Sequence, residues 1–167
     1  MILSKKINMV NFKKYFAKRE SIIQVEEGKS FAPKFDDNGL ITVVTTSAKT
    51  GEVLMLGYMN QEALHKTIET GEAYYYSRSR KILWHKGATS GLIQKIKEFR
   101  VDDDQDALWI SVEIVGEASC HVGYKSCFYR SLEINKKQHP MVLHFEEDHK
   151  IFNPEEVYGD VPNPTKL

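Results

Sequence analysis

Four carboxylates crowd into one short run of the chain. Asp102, Asp103, Asp104 and Asp106 fall within five residues, and carboxylates this close repel one another unless a cation lies among them. In an extended segment, Asp102, Asp104 and Asp106 share one side and Asp103 points to the other. A bend that converges the three predicts a Mg²⁺ site, because Mg²⁺ prefers oxygen ligands. The alternative is a solvated acidic turn between two strands.

The two cysteines of the chain follow soon after this run. Cys120 and Cys127 carry the soft sulfur donors that zinc accepts in a tetrahedral set. Further ligands can come from His121, Asp103 and a water, which leaves the open position that a catalytic zinc needs. The competing interpretation is a disulfide or two buried thiols. We favour metal binding, because a single short-range disulfide adds little to a domain of this size.

Short sequence blocks around these residues resemble one known family. The acidic run continues to Leu108, and the two cysteine blocks are Cys120-His121-Val122-Gly123 and Ser126-Cys127-Phe128-Tyr129-Arg130. Upstream, in the family's order, lie Gly51-Glu52-Val53-Leu54-Met55, Tyr58-Met59-Asn60, Glu69-Thr70-Gly71-Glu72-Ala73, Ser77-Arg78-Ser79-Arg80, Leu83-Trp84 and Lys86-Gly87-Ala88-Thr89-Ser90-Gly91. From about Phe31 to Arg130 the chain resembles phosphoribosyl-AMP cyclohydrolase of histidine biosynthesis, and an ordered set of blocks is more specific than any single motif.

The resemblance implies an enzyme with two kinds of metal ion. The implied ligands are Asp103, Cys120 and Cys127 for zinc, and Asp102, Asp104 and Asp106 for Mg²⁺. The family has a cysteine at the position of Asp103. A carboxylate oxygen also binds zinc, but a harder ligand set selects zinc less strongly. Because the family is an intimate homodimer whose zinc ligands come from two chains, Asp103 is expected to face the cysteines of a partner.

The implied reaction is hydrolysis of the purine ring of 1-(5-phosphoribosyl)-AMP. Water adds at C6 and the N1–C6 bond is cleaved, with a metal activating the water. His121 is the expected catalytic residue that moves a proton; its alternative role is to support the neighbouring metal ligand. Two other functions stay open. One is a sister hydrolase acting on another purine nucleotide, and the other is a metal- or nucleotide-binding module without catalysis.

The segment 77–91 combines glycines, hydroxyls, basic side chains and one tryptophan. Glycines allow a ligand close to the backbone, hydroxyl and guanidinium groups bind phosphate, and an indole ring can stack on a purine. The resemblance implies a nucleotide with two phosphates as the substrate. The expected contacts are Ser79, Arg80, Trp84, Lys86, Thr89 and Ser90. The alternative is a basic, solvated loop with one core tryptophan.

Mainly β structure is predicted around these residues. Apolar runs at 40–46 and 53–58 flank turn residues and predict a hairpin, with further strands at 73–76, 92–101 and 107–115 and an edge strand at 141–145. Asn60 can cap a helix that ends at Gly71. The resemblance implies a β-rich pseudo-barrel capped by this one short helix.

Length and charge fit a cytoplasmic enzyme that acts on a small molecule. The chain has 167 residues, with 23 basic and 23 acidic side chains, so it lacks the basic footprint of nucleic-acid or membrane-surface binding. No apolar run reaches transmembrane length, and lysines interrupt the region where a signal peptide has its core. We expect an N-terminal extension, 1–30, with a basic amphipathic helix at Lys5–Glu20; a catalytic domain, 31–130; and a C-terminal extension, 131–167, that ends in an extended tail from Val157.

Overall fold

A mixed four-stranded sheet forms the centre of the computed structural model, which describes residues 15–135, 137 and 139–165. Its strands are β1, Ile41–Ser47; β2, Val53–Met59; β5, Gln94–Val101; and β6, Ala107–Ile114. The strand order is β2-β1-β6-β5. β1 runs antiparallel to β2 and parallel to β6, whereas β5 and β6 are antiparallel. Two hairpins are therefore joined through their inner strands.

Two smaller sheets accompany the central one. β3, Tyr74–Ser77, pairs antiparallel with β4, Ile82–His85, and β7, Arg130–Leu132, pairs antiparallel with β8, Leu143–Phe145. β4 was not predicted, because four residues between basic and glycine-containing segments give too short a pattern. β8 confirms most of the edge strand expected at 141–145.

Three short helices complete the described elements: α1, Ile22–Glu26; α2, Gln61–Thr70; and α3, Pro154–Tyr158. At the start of α2 the Asn60 side chain accepts a hydrogen bond from the Ala63 backbone N–H at 2.9 Å, and at its end Gly71 has a φ of 70°. Both predicted ends of this helix are therefore confirmed. Each rests on a local rule, a capping oxygen at the start and a left-handed residue at the end.

The core lies between the inner face of the central sheet, α2 and β3. Its largest fully buried apolar side chains include Ile41, Leu54, Met59, Leu64 and Ile110. Tyr75 of β3 is 1% exposed and occupies the space above β2 that Gly57 leaves, since a Cβ on Gly57 would lie 2.7 Å from its ring. The packing fixes β3 and β4 beside the central sheet and so positions the loop that follows β4.

Two expectations for the terminal extensions meet the structure only in part. The helix predicted at Lys5–Glu20 lies largely outside the described residues, and residues 15–20 form a turn and irregular backbone. In the predicted tail, Val157 and Tyr158 belong to α3 instead. The reason is local: Asn153 caps this helix and Pro154 occupies its first turn, which is a start signal that composition alone does not reveal.

The mainly β fold with a short helix against it is confirmed, but the pseudo-barrel is not a closed one. Among the described residues, β2 and β5 are the edge strands of an open sheet, so no ring of strands is completed. Within the same residues, no helix has the length and apolarity needed to cross a membrane.

Candidate metal and nucleotide site

The acidic run forms a tight turn between β5 and β6. The Asp102 backbone N–H donates to the Ala107 carbonyl at 3.2 Å, and the Asp102 carboxylate accepts from the Ala107 N–H at 3.0 Å. Gln105 adopts a left-handed φ of 58° inside the turn. This geometry converges Asp102, Asp104 and Asp106, whose nearest carboxylate oxygens lie within 4.8 Å of one another. Three such oxygens fit the ligand requirements of a hard cation such as Mg²⁺.

A lysine that was not predicted as a site residue lies against this cluster. The Lys34 ammonium nitrogen is 3.6 Å from an Asp104 carboxylate oxygen and 3.4 Å from one of Asp106, and the side chains are about half exposed. A lone lysine in a polar segment carries no sequence signal for such a role. The acidic cluster therefore has one cation supplied by the chain itself.

Gln105 attaches the N-terminal segment to the acidic turn. Its side chain is buried and donates to the carbonyls of Val25 at 2.9 Å and Ser30 at 3.2 Å, while its amide oxygen accepts from the Ala32 N–H at 2.8 Å. The Gln105 backbone carbonyl accepts from the Lys34 N–H at 2.8 Å. These bonds hold both the turn and Lys34 in place. Sequence inspection gave no reason to single out this glutamine.

The two cysteines are brought together by a compact loop after β6. The Cys120 N–H donates to the Tyr124 carbonyl at 3.0 Å, and the Cys127 N–H donates to the Leu54 carbonyl of β2 at 2.7 Å. Both cysteines are free thiols; Cys120 is buried and Cys127 is exposed. The hydrogen bond between their side chains lowers the pKa of the Cys120 thiol to about 7 and raises the pKa of the Cys127 thiol. Two adjacent sulfurs of this kind fit a soft metal ion such as zinc.

A buried polar chain connects this cysteine loop to the core. The Tyr75 hydroxyl donates to the Gln94 amide oxygen at 2.8 Å and lies 2.7 Å from the Thr45 hydroxyl. The Gln94 amide nitrogen then donates to the Ser119 hydroxyl at 2.9 Å. Burial raises the pKa of Tyr75, which keeps its hydroxyl protonated. The residue before Cys120 is thereby anchored to β1, β3 and β5.

Lys86, which was expected to contact the phosphates or sugar of the substrate, is buried beside the cysteine loop. Its side chain is 1% exposed, and its ammonium nitrogen donates to the Ser119 carbonyl at 2.5 Å. Burial lowers the pKa of Lys86, and the charges of Cys127 and Cys120 oppose that effect. The ammonium group thus faces the cysteine loop and not solvent, because Lys86 immediately follows β4 and its backbone N–H is bonded to Ala73 at 3.0 Å.

His121 lies beside the cysteine pair under the C-terminal segment. Its Nε2 atom is buried and has no hydrogen-bond partner among the described residues. Burial lowers the pKa of His121, the positive charges of Lys86 and Arg80 add to this effect, and the Asn163 side chain opposes it. A buried nitrogen without a partner is unusual in a folded protein and is often found where a ligand binds.

The other residues expected to contact substrate spread over the surface of β4 and its flanking loops. Ser79, Arg80 and Thr89 are exposed, Ser90 is half-buried, and the Arg80 guanidinium donates to the Pro162 carbonyl at 3.0 Å. Trp84 is also half-buried, and the centre of its ring lies 5.8 Å from the centre of the Tyr75 ring. Trp84 is therefore partly a core residue. The positive charge of Arg80 contributes to lowering the pKa of His121.

Within one chain the predicted ligands form two separate groups. Among the described residues, the three aspartates are the one set of three or more His, Cys, Asp or Glu side chains with ligand atoms within 4.8 Å of each other. Asp103 is exposed and is not brought together with Cys120 and Cys127. The charged groups that act on the cysteine pair are instead Lys86 and Glu147, whose carboxylate accepts from the backbone N–H of Ser126 at 3.0 Å. Within the described part of the chain, the two sulfurs are therefore not joined by a third ligand atom at that distance.

The similarity to known proteins covers both groups. The family model for phosphoribosyl-AMP cyclohydrolase matches residues 55–129. A phosphoribosyl-AMP cyclohydrolase from Rhodopseudomonas palustris (strain TIE-1) is 56% identical over 135 residues, which cover 81% of this chain and 89% of that protein. Proteins of the same name from Bradyrhizobium diazoefficiens and Nitrobacter winogradskyi are 53% and 52% identical, over 81% and 83% of this chain and 94% of each relative.

Proposed function

This chain belongs to the phosphoribosyl-AMP cyclohydrolase family, and we propose that it is a metal-dependent hydrolase that opens the purine ring of phosphoribosyl-AMP. The observation that carries the metal dependence is the presence of two chemically distinct donor sets. One is hard, with three carboxylates converging in the acidic turn, and the other is soft, with two hydrogen-bonded thiols. A hydrolase with two metal ions of different preference needs both kinds of donor.

In this proposal each donor set has one task. Asp102, Asp104 and Asp106 would hold Mg²⁺, which would bind substrate oxygens and reduce the negative charge of the phosphates. Cys120 and Cys127 would hold zinc, which supplies the Lewis acidity that activates a water when the ion is bound. The two metals are not interchangeable, because carboxylate oxygens suit Mg²⁺ and thiolates suit zinc.

The bond changes follow from the chemistry of the purine. Water adds at C6, the N1–C6 bond breaks, N1 takes up a proton and keeps its phosphoribosyl group, and C6 becomes the carbon of a carboxamide. His121 would accept the water proton and return one to N1, since its Nε2 has no partner within the described chain. Ser79, Arg80, Thr89 and Ser90 would bind phosphate and ribose oxygens, and the half-buried Trp84 would line the purine site.

We also propose that the zinc site is completed in a homodimer, with Asp103 of one chain meeting Cys120 and Cys127 of the other. Three exposed residues support this arrangement: Asp103 on the turn, Cys127 on the loop and Phe128 next to it, which is 57% exposed. Mixing two inactive variants tests it. Asp103→Ala and Cys127→Ala chains should regain turnover when unfolded and refolded together, because one site of each mixed dimer is intact. If the mixture stays inactive although mixed dimers form, the donors do not come from different chains.

Mass spectrometry of the reaction product tests the proposed chemistry. Purified protein loaded with zinc and supplied with Mg²⁺ should convert phosphoribosyl-AMP to a product heavier by one water. A product formed by loss of ammonia would identify a deaminase-like sister hydrolase. Binding of the nucleotide without any product, with both metals supplied, would identify a binding module.

A further inference from the structure

A buried lysine without a carboxylate partner stands next to the cysteine loop. Lys86 is 1% exposed, and its ammonium nitrogen donates to the Ser119 carbonyl at 2.5 Å and lies 5.1 Å from the centre of the Trp84 ring. No Asp or Glu of the described chain forms an ion pair with it. Placing an ammonium group in such a site is costly unless an opposite charge lies close by.

Among the described residues, the sulfurs of Cys127 and Cys120 act electrostatically on this ammonium group. Cys127 and Cys120 both favour its charged form, and Lys86 in turn favours the thiolate form of each. The Ser119 carbonyl that Lys86 binds belongs to the residue immediately before Cys120. The Ser119 hydroxyl is held from the other side by Gln94 at 2.9 Å. The lysine is therefore fixed in position relative to the two thiols.

The net charge of the proposed zinc site explains why a buried lysine lies beside the two cysteines. Two thiolates and one carboxylate carry one more negative charge than a zinc ion neutralises, and burial makes such an excess unfavourable. We propose that Lys86 is the counter-ion of this site: its positive charge offsets the excess and its bond to Ser119 fixes the loop that presents Cys120. This inference rests on the proposed zinc site and assigns Lys86 a positioning and electrostatic role in place of a phosphate contact.

Zinc affinity of a matched set of variants tests the proposal. Lys86→Met removes the charge and the donor while keeping a similar volume, Lys86→Gln removes the charge and keeps a donor, and Lys86→Arg keeps both. Zinc affinity is measured by competition with a chromophoric chelator, and the absorption of bound Co²⁺ reports whether thiolate ligation is intact. We expect Lys86→Met and Lys86→Gln to lose about tenfold or more in zinc affinity and Lys86→Arg to lose less.

Lys125→Met is the control on the same loop. Lys125 is ion-paired with Glu52 near the cysteines but its side chain is 40% exposed, so its removal should leave zinc affinity unchanged. Circular dichroism of the metal-free proteins shows whether each variant is folded, and the milder Lys86→Gln variant decides the question if Lys86→Met does not fold.

The outcomes separate this inference from the proposed function. Unchanged zinc affinity in folded Lys86→Gln overturns the counter-ion role while leaving the zinc site in place. A wild-type protein that does not bind zinc through thiolates overturns the zinc site itself. If Lys86→Gln keeps the wild-type zinc affinity and Lys86→Met loses it, the lysine acts only as a hydrogen-bond donor. That result would also reject the electrostatic role.

Discussion

The ammonium nitrogen of Lys34 lies 3.4 Å from a carboxylate oxygen of Asp106. The same nitrogen is 3.6 Å from Asp104, so one tethered cation is shared by two of the three proposed Mg²⁺ ligands. Lys34 is held there because its backbone N–H donates to the carbonyl of Gln105 inside the acidic turn. The chain thus reduces the repulsion among its own carboxylates, and a metal ion entering the site competes with Lys34 for them.

Lys34→Met should therefore bind Mg²⁺ more tightly than the wild type. Half-exposed ion pairs contribute little, so we expect a gain of about two- to fivefold in affinity, measured by titration calorimetry at low salt. Lys29→Met, which removes another exposed lysine of the same segment, should leave the affinity unchanged. Weaker binding in Lys34→Met would show that Lys34 helps to shape the site and does not compete for it.

Gln105→Ala should destabilise the protein and detach the N-terminal segment from the acidic turn. The Val25 carbonyl and the Ala32 N–H would lose their buried partner, at a cost of about 2–4 kcal/mol. Urea unfolding measures this change, and Gln61→Ala, at an exposed position of α2, is the control expected within about 0.5 kcal/mol of wild type. A Gln105→Ala protein as stable as that control would contradict the role of Gln105 in attaching the N-terminal segment to the acidic turn.

Tyr75→Phe should destabilise the fold in a pH-dependent way. Without the hydroxyl, the buried Gln94 amide oxygen loses its donor, which costs about 1–3 kcal/mol near neutral pH. Because burial raises the pKa of Tyr75, the folded wild type keeps a proton that the unfolded chain loses above pH of about 10. The folded state then binds more protons, so wild-type stability falls as pH rises through that range.

The measurable consequence is that the stability difference between wild type and Tyr75→Phe narrows at alkaline pH. Denaturant unfolding of both proteins at pH 7 and above pH 10 provides the comparison. A difference that stays constant across this range would mean that the Tyr75 hydroxyl does not retain its proton in the folded state.

Features that depend on residues close together in the sequence could be predicted, whereas features that depend on tertiary packing could not. The ends of α2 were predicted from Asn60 and Gly71, and the convergence of alternate aspartates followed from their spacing in a turn. The burial of Lys86 was not predicted, because a lysine beside Gly87 in a basic segment resembles a solvated phosphate ligand. Its burial depends on β3, β4 and the cysteine loop packing together, which no local pattern encodes.

The contribution of the N-terminal segment to the acidic turn was not predictable for a similar reason. Gln105 bonds to residues more than 70 positions away, and a single glutamine in an acidic run has no signature for such contacts. Lys34 reaches the carboxylates because these bonds of Gln105 hold the N-terminal segment against the turn. The candidate chemistry-bearing residues could thus be predicted from their types, whereas the residues that position them required the fold.

The most direct test of the account is turnover of phosphoribosyl-AMP by metal-free protein reconstituted with zinc and Mg²⁺, comparing wild type with Cys127→Ala. Product absorbance follows the reaction, and Cys127→Ala should keep its fold because the residue is exposed. We predict ring opening by the wild type, loss of activity on chelation and recovery with zinc, and no such recovery in Cys127→Ala. Equal turnover by both proteins after removal of all metal would contradict a metal centre built on this cysteine.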